Sequence, residues 1–214
     1  MDGTTLWLLA NLPLNGWVGE PNNWQYVSAN SFSTLAEDTT SRYTVGTKLS
    51  CTDAGVIKYF YVVSSSFSTD TTVTITGGSD YTLSGGAITN PMYSYMATAY
   101  GFPGSFAFTP AYTGWAATPT FNCALWISGR AATVIIRATG TSSAGDTTIT
   151  LPIASTFSDP PFALVRAIDN GGTPAPGLCY LSTPTVITFC KNVSGDVFTT
   201  SGAKTVTVTV GFPI

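Results

Sequence analysis

The sequence contains no histidine, and only 9% of its residues are charged. Histidine is the side chain whose ordinary pKa lies near neutrality, and it carries much of the general acid–base work of enzymes. Its absence removes imidazole-activated serine or cysteine nucleophiles, and no Gly-x-Ser-x-Gly elbow is present. Basic residues are equally thin. The eight Lys and Arg side chains are scattered singly through 214 residues, so the basic footprint that nucleic acid requires is missing. A net charge of −3 and a pI near 4.6 also oppose docking on anionic lipid. Cys51, Cys123, Cys179 and Cys190 form no C-x-x-C pair and have no histidine to complete a zinc site. No metal and no cofactor is expected. The cysteines read as four small buried apolar residues, with Cys179 and Cys190 the nearest pair in sequence. The longest apolar stretch near the start, Leu6-Trp7-Leu8-Leu9-Ala10, is far shorter than the roughly 20 residues of a membrane span. Met1-Asp2-Gly3-Thr4-Thr5 lacks the positive start of a signal peptide. Synthesis in a reducing cytoplasm, with no membrane insertion, is the expectation.

What the chain does contain is 44% hydrophobic and 13% aromatic residues, with about one residue in six threonine. Threonine favours extended backbone and satisfies itself without charge. Period-2 alternation recurs at Thr72-Val73-Thr74-Ile75-Thr76, at Thr147-Thr148-Ile149-Thr150-Leu151 and at Thr205-Val206-Thr207-Val208-Thr209-Val210. Such strands have one dry and one wet face. Tyr59-Phe60-Tyr61-Val62-Val63 and Thr133-Val134-Ile135-Ile136 are more uniformly apolar and read as central strands covered on both sides. Gly77-Gly78-Ser79-Asp80, Ser84-Gly85-Gly86 and Asp169-Asn170-Gly171-Gly172 are turn signals, and Pro160-Pro161, Pro174 and Pro176 mark loops.

Short strands at this spacing predict an all-β chain of two tandem antiparallel β-sandwich or barrel units. The expected organisation is an N-terminal arm over residues 1–16, a β-module over 17–104 and a second β-domain over 105–214. Asp and Glu residues mostly sit beside Gly, Ser, Thr, Pro or Asn, where an acid caps a turn. That placement disfavours the carboxylate pair, about 5 to 9 Å apart, that a glycosidase needs. Aromatic residues on loops are the candidates for ligand binding. Trp24, Tyr26, Tyr93, Tyr95 and Tyr100 lie in the first module, and Tyr112 and Trp115 in the loop Pro110-Ala111-Tyr112-Thr113-Gly114-Trp115. Aromatic rings of this kind stack on sugar faces, or else end in a core or subunit interface. Of these, Tyr112 and Trp115 are the foremost ligand-binding candidates. Leu6, Trp7, Leu8, Leu9 and Leu12, closed off by Pro13, read either as a first strand covering its own sheet or as the candidates for docking the arm on a neighbouring protein.

The run Lys58-Tyr59-Phe60-Tyr61-Val62-Val63-Ser64-Ser65-Ser66, followed by Thr72-Val73-Thr74-Ile75-Thr76-Gly77-Gly78-Ser79-Asp80-Tyr81-Thr82-Leu83, resembles β-rich modules of tailed-bacteriophage virion proteins. These are tail-fibre-like and head-fibre or decoration proteins. Ala87-Ile88-Thr89-Asn90-Pro91-Met92-Tyr93-Ser94-Tyr95, Gly101-Phe102-Pro103, Trp24-Gln25-Tyr26-Val27-Ser28-Ala29 and Gly46-Thr47-Lys48-Leu49 extend the likeness over residues 17–110. Leu125-Trp126-Ile127-Ser128-Gly129-Arg130 resembles the opening of jelly-roll domains that close phage fibres and trimerise, so the resemblance implies that the β-domain over 105–214 is jelly-roll-like. The resemblance implies a structural, non-catalytic protein displayed on a virion, on the capsid or the tail. It implies homotrimers, contacts with other virion proteins, and adhesion to a host-surface glycan. The short arm favours a small accessory protein over a long fibre. The alternative expectation is a polysaccharide-degrading phage enzyme or a carbohydrate-binding module.

Overall fold

The structure is a computed structural model, and it describes residues 15–79, 81–157 and 162–214. The docking candidates Leu6, Trp7, Leu8, Leu9 and Leu12 lie outside the described residues. The chain is all-β and antiparallel, with no helix among the described residues. It divides into two compact units, one formed by residues 15–77 and 82–104, the other by Gly78–Tyr81 and Ser105–Ile214. The boundary falls between Gly104 and Ser105. The short segment Gly78–Tyr81 departs from sequence order by grouping with the second unit, where the Ser79 hydroxyl donates to the Thr109 carbonyl.

The first unit has seven strands: β1 (Val18–Gly19), β2 (Trp24–Ser28), β3 (Ser31–Thr34), β4 (Lys48–Asp53), β5 (Val56–Phe67), β6 (Thr71–Thr76) and β7 (Ile88–Ser94). They form one sheet in the order β1-β7-β4-β5-β6-β3-β2. The alternation at 72–76 does what it predicts, turning Val73 and Ile75 into the core. Trp24 and Phe32 stack at 4.0 Å between ring centroids, and Tyr43 meets Phe32 edge-on at 5.5 Å. Phe60, Tyr61 and Val62 are all buried in β5, while Tyr59 and Val63 are half-buried. The fully covered stretch of that strand is therefore three residues long rather than five. Tyr81-Thr82-Leu83 joins no ladder. Leu83 is nonetheless buried, and its amide donates to the Ala29 carbonyl.

The second unit has nine strands: β8 (Phe106–Ala107), β9 (Tyr112–Thr113), β10 (Thr120–Ser128), β11 (Ala131–Thr141), β12 (Thr147–Thr150), β13 (Phe162–Ile168), β14 (Ala175–Thr183), β15 (Val186–Cys190) and β16 (Ala203–Pro213). Their order is β8-β10-β11-β16-β13-β14-β15-β12-β9. Val206, Val208, Val210 and Phe212 of β16 point inward, as do Ala132, Val134, Ile136 and Ala138 of β11. Ile135 corrects the sequence reading of its strand. It is 38% exposed, so β11 has one wet face.

A wide sheet with one apolar face and no helix to cover it has to curl until that face meets itself. In the second unit the curl closes at one end. Just past edge strand β9, Trp115 forms an antiparallel bridge with Ser142, and the Ala116 amide donates to the Thr141 carbonyl at 2.9 Å. Threonines line the wet faces and pair across strands. The Thr139 and Thr205 hydroxyls lie 3.1 Å apart, and those of Thr113 and Thr148 2.8 Å apart. This local pairing explains how so much hydroxyl can replace charge in a sheet.

Gly177 sits in the middle of β14, where glycine ordinarily weakens a strand. The reason is close approach. A Cβ at this position would lie 2.4 Å from the Cys190 carbonyl oxygen and 2.9 Å from a Val165 methyl. We expect Gly177→Ala to destabilise the protein by about 1 to 3 kcal/mol through overpacking, measured by urea unfolding. Gly104→Ala, with open space around it, serves as the control and should unfold near the wild-type midpoint.

Candidate functional site

The two foremost ligand candidates, Tyr112 and Trp115, meet edge-on with ring centroids 6.1 Å apart. Tyr112 is half-buried, and its hydroxyl is bonded to that of Thr118 at 3.0 Å. Trp115 is only 6% exposed. Its ring face is taken by the chain itself, because the Lys204 Nζ lies 4.5 Å from the ring centroid. Trp115 is thus a core residue and offers no open stacking face.

Lys204 is the side chain that sequence reading passed over as one more scattered cation. It is 0% exposed. The parity of Val206, Val208 and Val210, carried back two residues, points Lys204 inward too, so the signal was present in the sequence. Its Nζ donates to the Gly114 carbonyl at 2.6 Å and to the Thr147 hydroxyl at 2.7 Å, with the Phe198 ring 5.2 Å away on another side. One ammonium therefore fastens β16 to the turn after β9 and to β12, where the sheet closes. Gly114 has φ +88°, and a Cβ there would press within 2.3 Å of the Asp146 carbonyl oxygen. That conformation is open to glycine and strained for other residues. Burial disfavours the charged amine and lowers the Lys204 pKa to about 8, against a smaller opposing pull from Asp169.

In the first unit, the buried Glu20 carboxylate accepts from Arg42 Nη1 at 2.7 Å and from the Tyr43 hydroxyl. The Trp24 indole N–H donates to the same Tyr43 oxygen at 2.8 Å. Burial, and then the bond to Glu20, push the Tyr43 phenol well above its ordinary value. A second tie is Asp53, buried between Lys58 Nζ at 2.7 Å and the Ser84 amide and hydroxyl at 2.7 and 2.9 Å. Burial alone raises that carboxyl, but the Lys58 and Ser84 bonds outweigh it and hold the pKa below the usual range. Lys58 Nζ also donates to the Thr82 carbonyl at 2.6 Å. Both networks join loops to strands, and in each the charged atoms are already engaged by protein partners.

All four cysteines are buried free thiols. Burial pushes Cys51 up to about 12, Cys123 to about 11 and Cys179 to about 12, and also raises Cys190. The thiolate is the reactive form, so these groups are suppressed as nucleophiles. Among the described residues, no group of three or more Cys, Asp or Glu side chains is placed to hold a metal ion.

The other aromatic candidates differ sharply in access. Trp24 is 2% exposed and Tyr93 half-buried, whereas Tyr26, Tyr95 and Tyr100 are open to solvent. Tyr95 spends its hydroxyl on the Arg42 carbonyl at 2.9 Å. In the second unit, Phe162 and Leu164 on the outer face of β13 are 68% and 70% exposed. The sequence reading did not single them out, although their i, i+2 spacing beside the buried Val165 carries the signal. No protein-family model, curated protein or solved structure matches this chain.

Two measurements check the electrostatics. Between pH 8 and 10.5 the folded Lys204 releases its proton while the unfolded one keeps it, so in that window Lys204 adds stability as pH rises. The unfolding free energy of wild type minus that of Lys204→Met should therefore grow by about 2 kcal/mol from pH 8 to pH 10. The thiols act in the opposite sense above pH 9 but cancel in that difference. Separately, a thiol-specific chromogenic reagent should titrate four cysteines in denaturant and none within minutes in the native protein at pH 8.

Proposed function

We propose that this chain is a non-catalytic surface protein of a tailed-bacteriophage particle, serving display and adhesion. The observation that carries the reading is the use made of the titratable groups. Glu20, Asp53 and Lys204 are buried, and each is bonded to groups within its own unit. The four thiols are sealed with raised pKa values. These groups behave as fasteners rather than as acids, bases or nucleophiles in a cleft. A charge-poor, hydroxyl-lined, all-β architecture suits a protein whose work is to present a durable surface.

The likeness of residues 17–110 to head-fibre, decoration and tail-fibre modules supports placement on the virion, on capsid or tail. Assembly into homotrimers fits the apolar side chains on the outer face of β13, since exposed apolar clusters mark interaction surfaces. The arm residues Leu6, Trp7, Leu8, Leu9 and Leu12 are the proposed anchor to a neighbouring virion protein. Synthesis takes place in the host cytoplasm, and buried thiols are compatible with either redox environment.

The test is co-purification. Particles of a phage encoding the chain, banded twice in a caesium chloride gradient, should carry it at a fixed copy number. Deleting residues 1–16 should leave a folded protein that no longer bands with particles. Absence of the intact chain from purified particles overturns the proposal. So does steady release of reducing ends when the purified protein is incubated with host surface polysaccharide.

A further inference from the structure

Trp24 and Tyr26 stand two residues apart in β2, yet the structure gives them separate fates. Trp24 is sealed against Phe32 and Tyr43. Tyr26 is 41% exposed. Strand β2 is the edge of its sheet, hydrogen-bonded on one side only, to β3. Beside it lies a cleft of about 410 Å³, lined by Asn23, Trp24, Gln25 and Tyr26 and by residues 85–89.

The chemistry of this lining is specific. No charged side chain belongs to it. Of the lining residues, Trp24 and Ile88 are buried, while Asn23, Gln25 and Tyr26 are exposed. Among the described residues, the side chains of Asn23, Gln25 and Tyr26 take no hydrogen-bond partner, so two amides and a phenol are left to solvent. Gly85 lies against the Tyr26 ring, where a Cβ would come within 3.8 Å of Cζ. Its φ of +87° disfavours any larger residue there. The hydroxyl end of the ring is therefore held against Gly85, while the side chain as a whole stays 41% exposed.

We infer that this cleft binds a neutral oligosaccharide that runs along the β2 edge, with the Tyr26 ring against the C–H face of one sugar and the Asn23 and Gln25 amides, Gln25 alternating to the other side of the strand, bonded to hydroxyls of a neighbouring sugar unit. A sugar ring has a polarised C–H face and a rim of hydroxyls. An aromatic π-face is electronegative and attracts the first, and carboxamides, which both donate and accept, match the second. An anionic ligand finds no cation in the lining. A purely apolar ligand would strip water from two amides and leave them unpaired. A few polar groups beside an aromatic wall are what orients a ligand in a cleft. This site is distinct from Tyr112 and Trp115, whose hydroxyl and ring face are already taken. It deepens the adhesion part of the proposed function and rests on that reading for its biological role.

The experiment uses the purified full chain and saturation-transfer NMR with four neutral probes at millimolar concentration: maltohexaose, cellohexaose, mannohexaose and chitohexaose. An oligogalacturonate serves as the anionic comparison. At least one neutral probe should show transfer and the anionic one none. Tyr26→Ala should weaken binding about tenfold or more, and Gln25→Ala about three- to tenfold, the range expected for one hydrogen bond. Both residues are exposed, so the variants should melt within a few degrees of wild type, which separates lost binding from lost fold. The inference is overturned if no neutral probe shows transfer, if Tyr26→Ala binds as wild type does, or if the anionic probe binds equally well. None of these outcomes bears on whether the chain bands with particles, so the two proposals fail separately.

Discussion

A sheet with one apolar face, in a chain without helices to lay over it, can be dry only by rolling onto itself. That constraint governs both units. Seven strands in one and nine in the other each form a single antiparallel sheet, and the inward positions along their strands build the cores. Rolling creates its own difficulty. Where the edge of the sheet returns to a strand it did not follow in sequence, backbone groups meet at odd angles and some are left over. The Trp115–Ser142 bridge and the Lys204 ammonium meet that need in the second unit, giving a donor to the Gly114 carbonyl and to the Thr147 hydroxyl. In the first unit, Glu20 and Asp53 do related work by gathering loop amides and hydroxyls around a buried carboxylate.

These buried charges are compatible with stability because each is fully surrounded by partners. A buried ion costs several kcal/mol in lost hydration, and only good geometry and complete hydrogen bonding offset that cost. Lys204 has no carboxylate at hydrogen-bond distance. It relies on a carbonyl, a hydroxyl and two aromatic faces, which do not make up for the hydration lost on burial, so its proton is held less firmly than a surface lysine's. Tyr43 illustrates the reverse case, a phenol held neutral because it donates to Glu20 while accepting from Trp24.

Much of the fold could be read from the residues. Alternating Thr and Val or Ile at 72–76, 147–151 and 205–210 marked strands with one wet face, and the structure places strands on each. Uniform apolarity misled at Ile135, because a single isoleucine on a wet face looks like burial in a short window. What the sequence could not show was which strands close the curl, since bridge partners such as Trp115 and Ser142 are brought together only by the ninefold strand order. The aromatic residues followed the same rule. Composition marked them as candidates. Burial then withdrew Trp115 and left Tyr26 beside two idle amides, a contrast that depends on β2 being a sheet edge and that no local pattern encodes.

The threonine pairs on the outer faces carry a consequence for how this molecule meets its surroundings. Attraction between charged surfaces fades with ionic strength, over a Debye length of about 10 Å at 0.1 M salt. A face built from Thr139, Thr205, Thr113 and Thr148 holds its polarity in hydroxyl dipoles that neither titrate near neutrality nor draw a counterion cloud. Contacts made through these hydroxyl pairs depend on shape and short-range hydrogen bonding, so salt weakens them less than any contact made by Arg137 and Arg166, which share the outward face with Thr139 and Thr205.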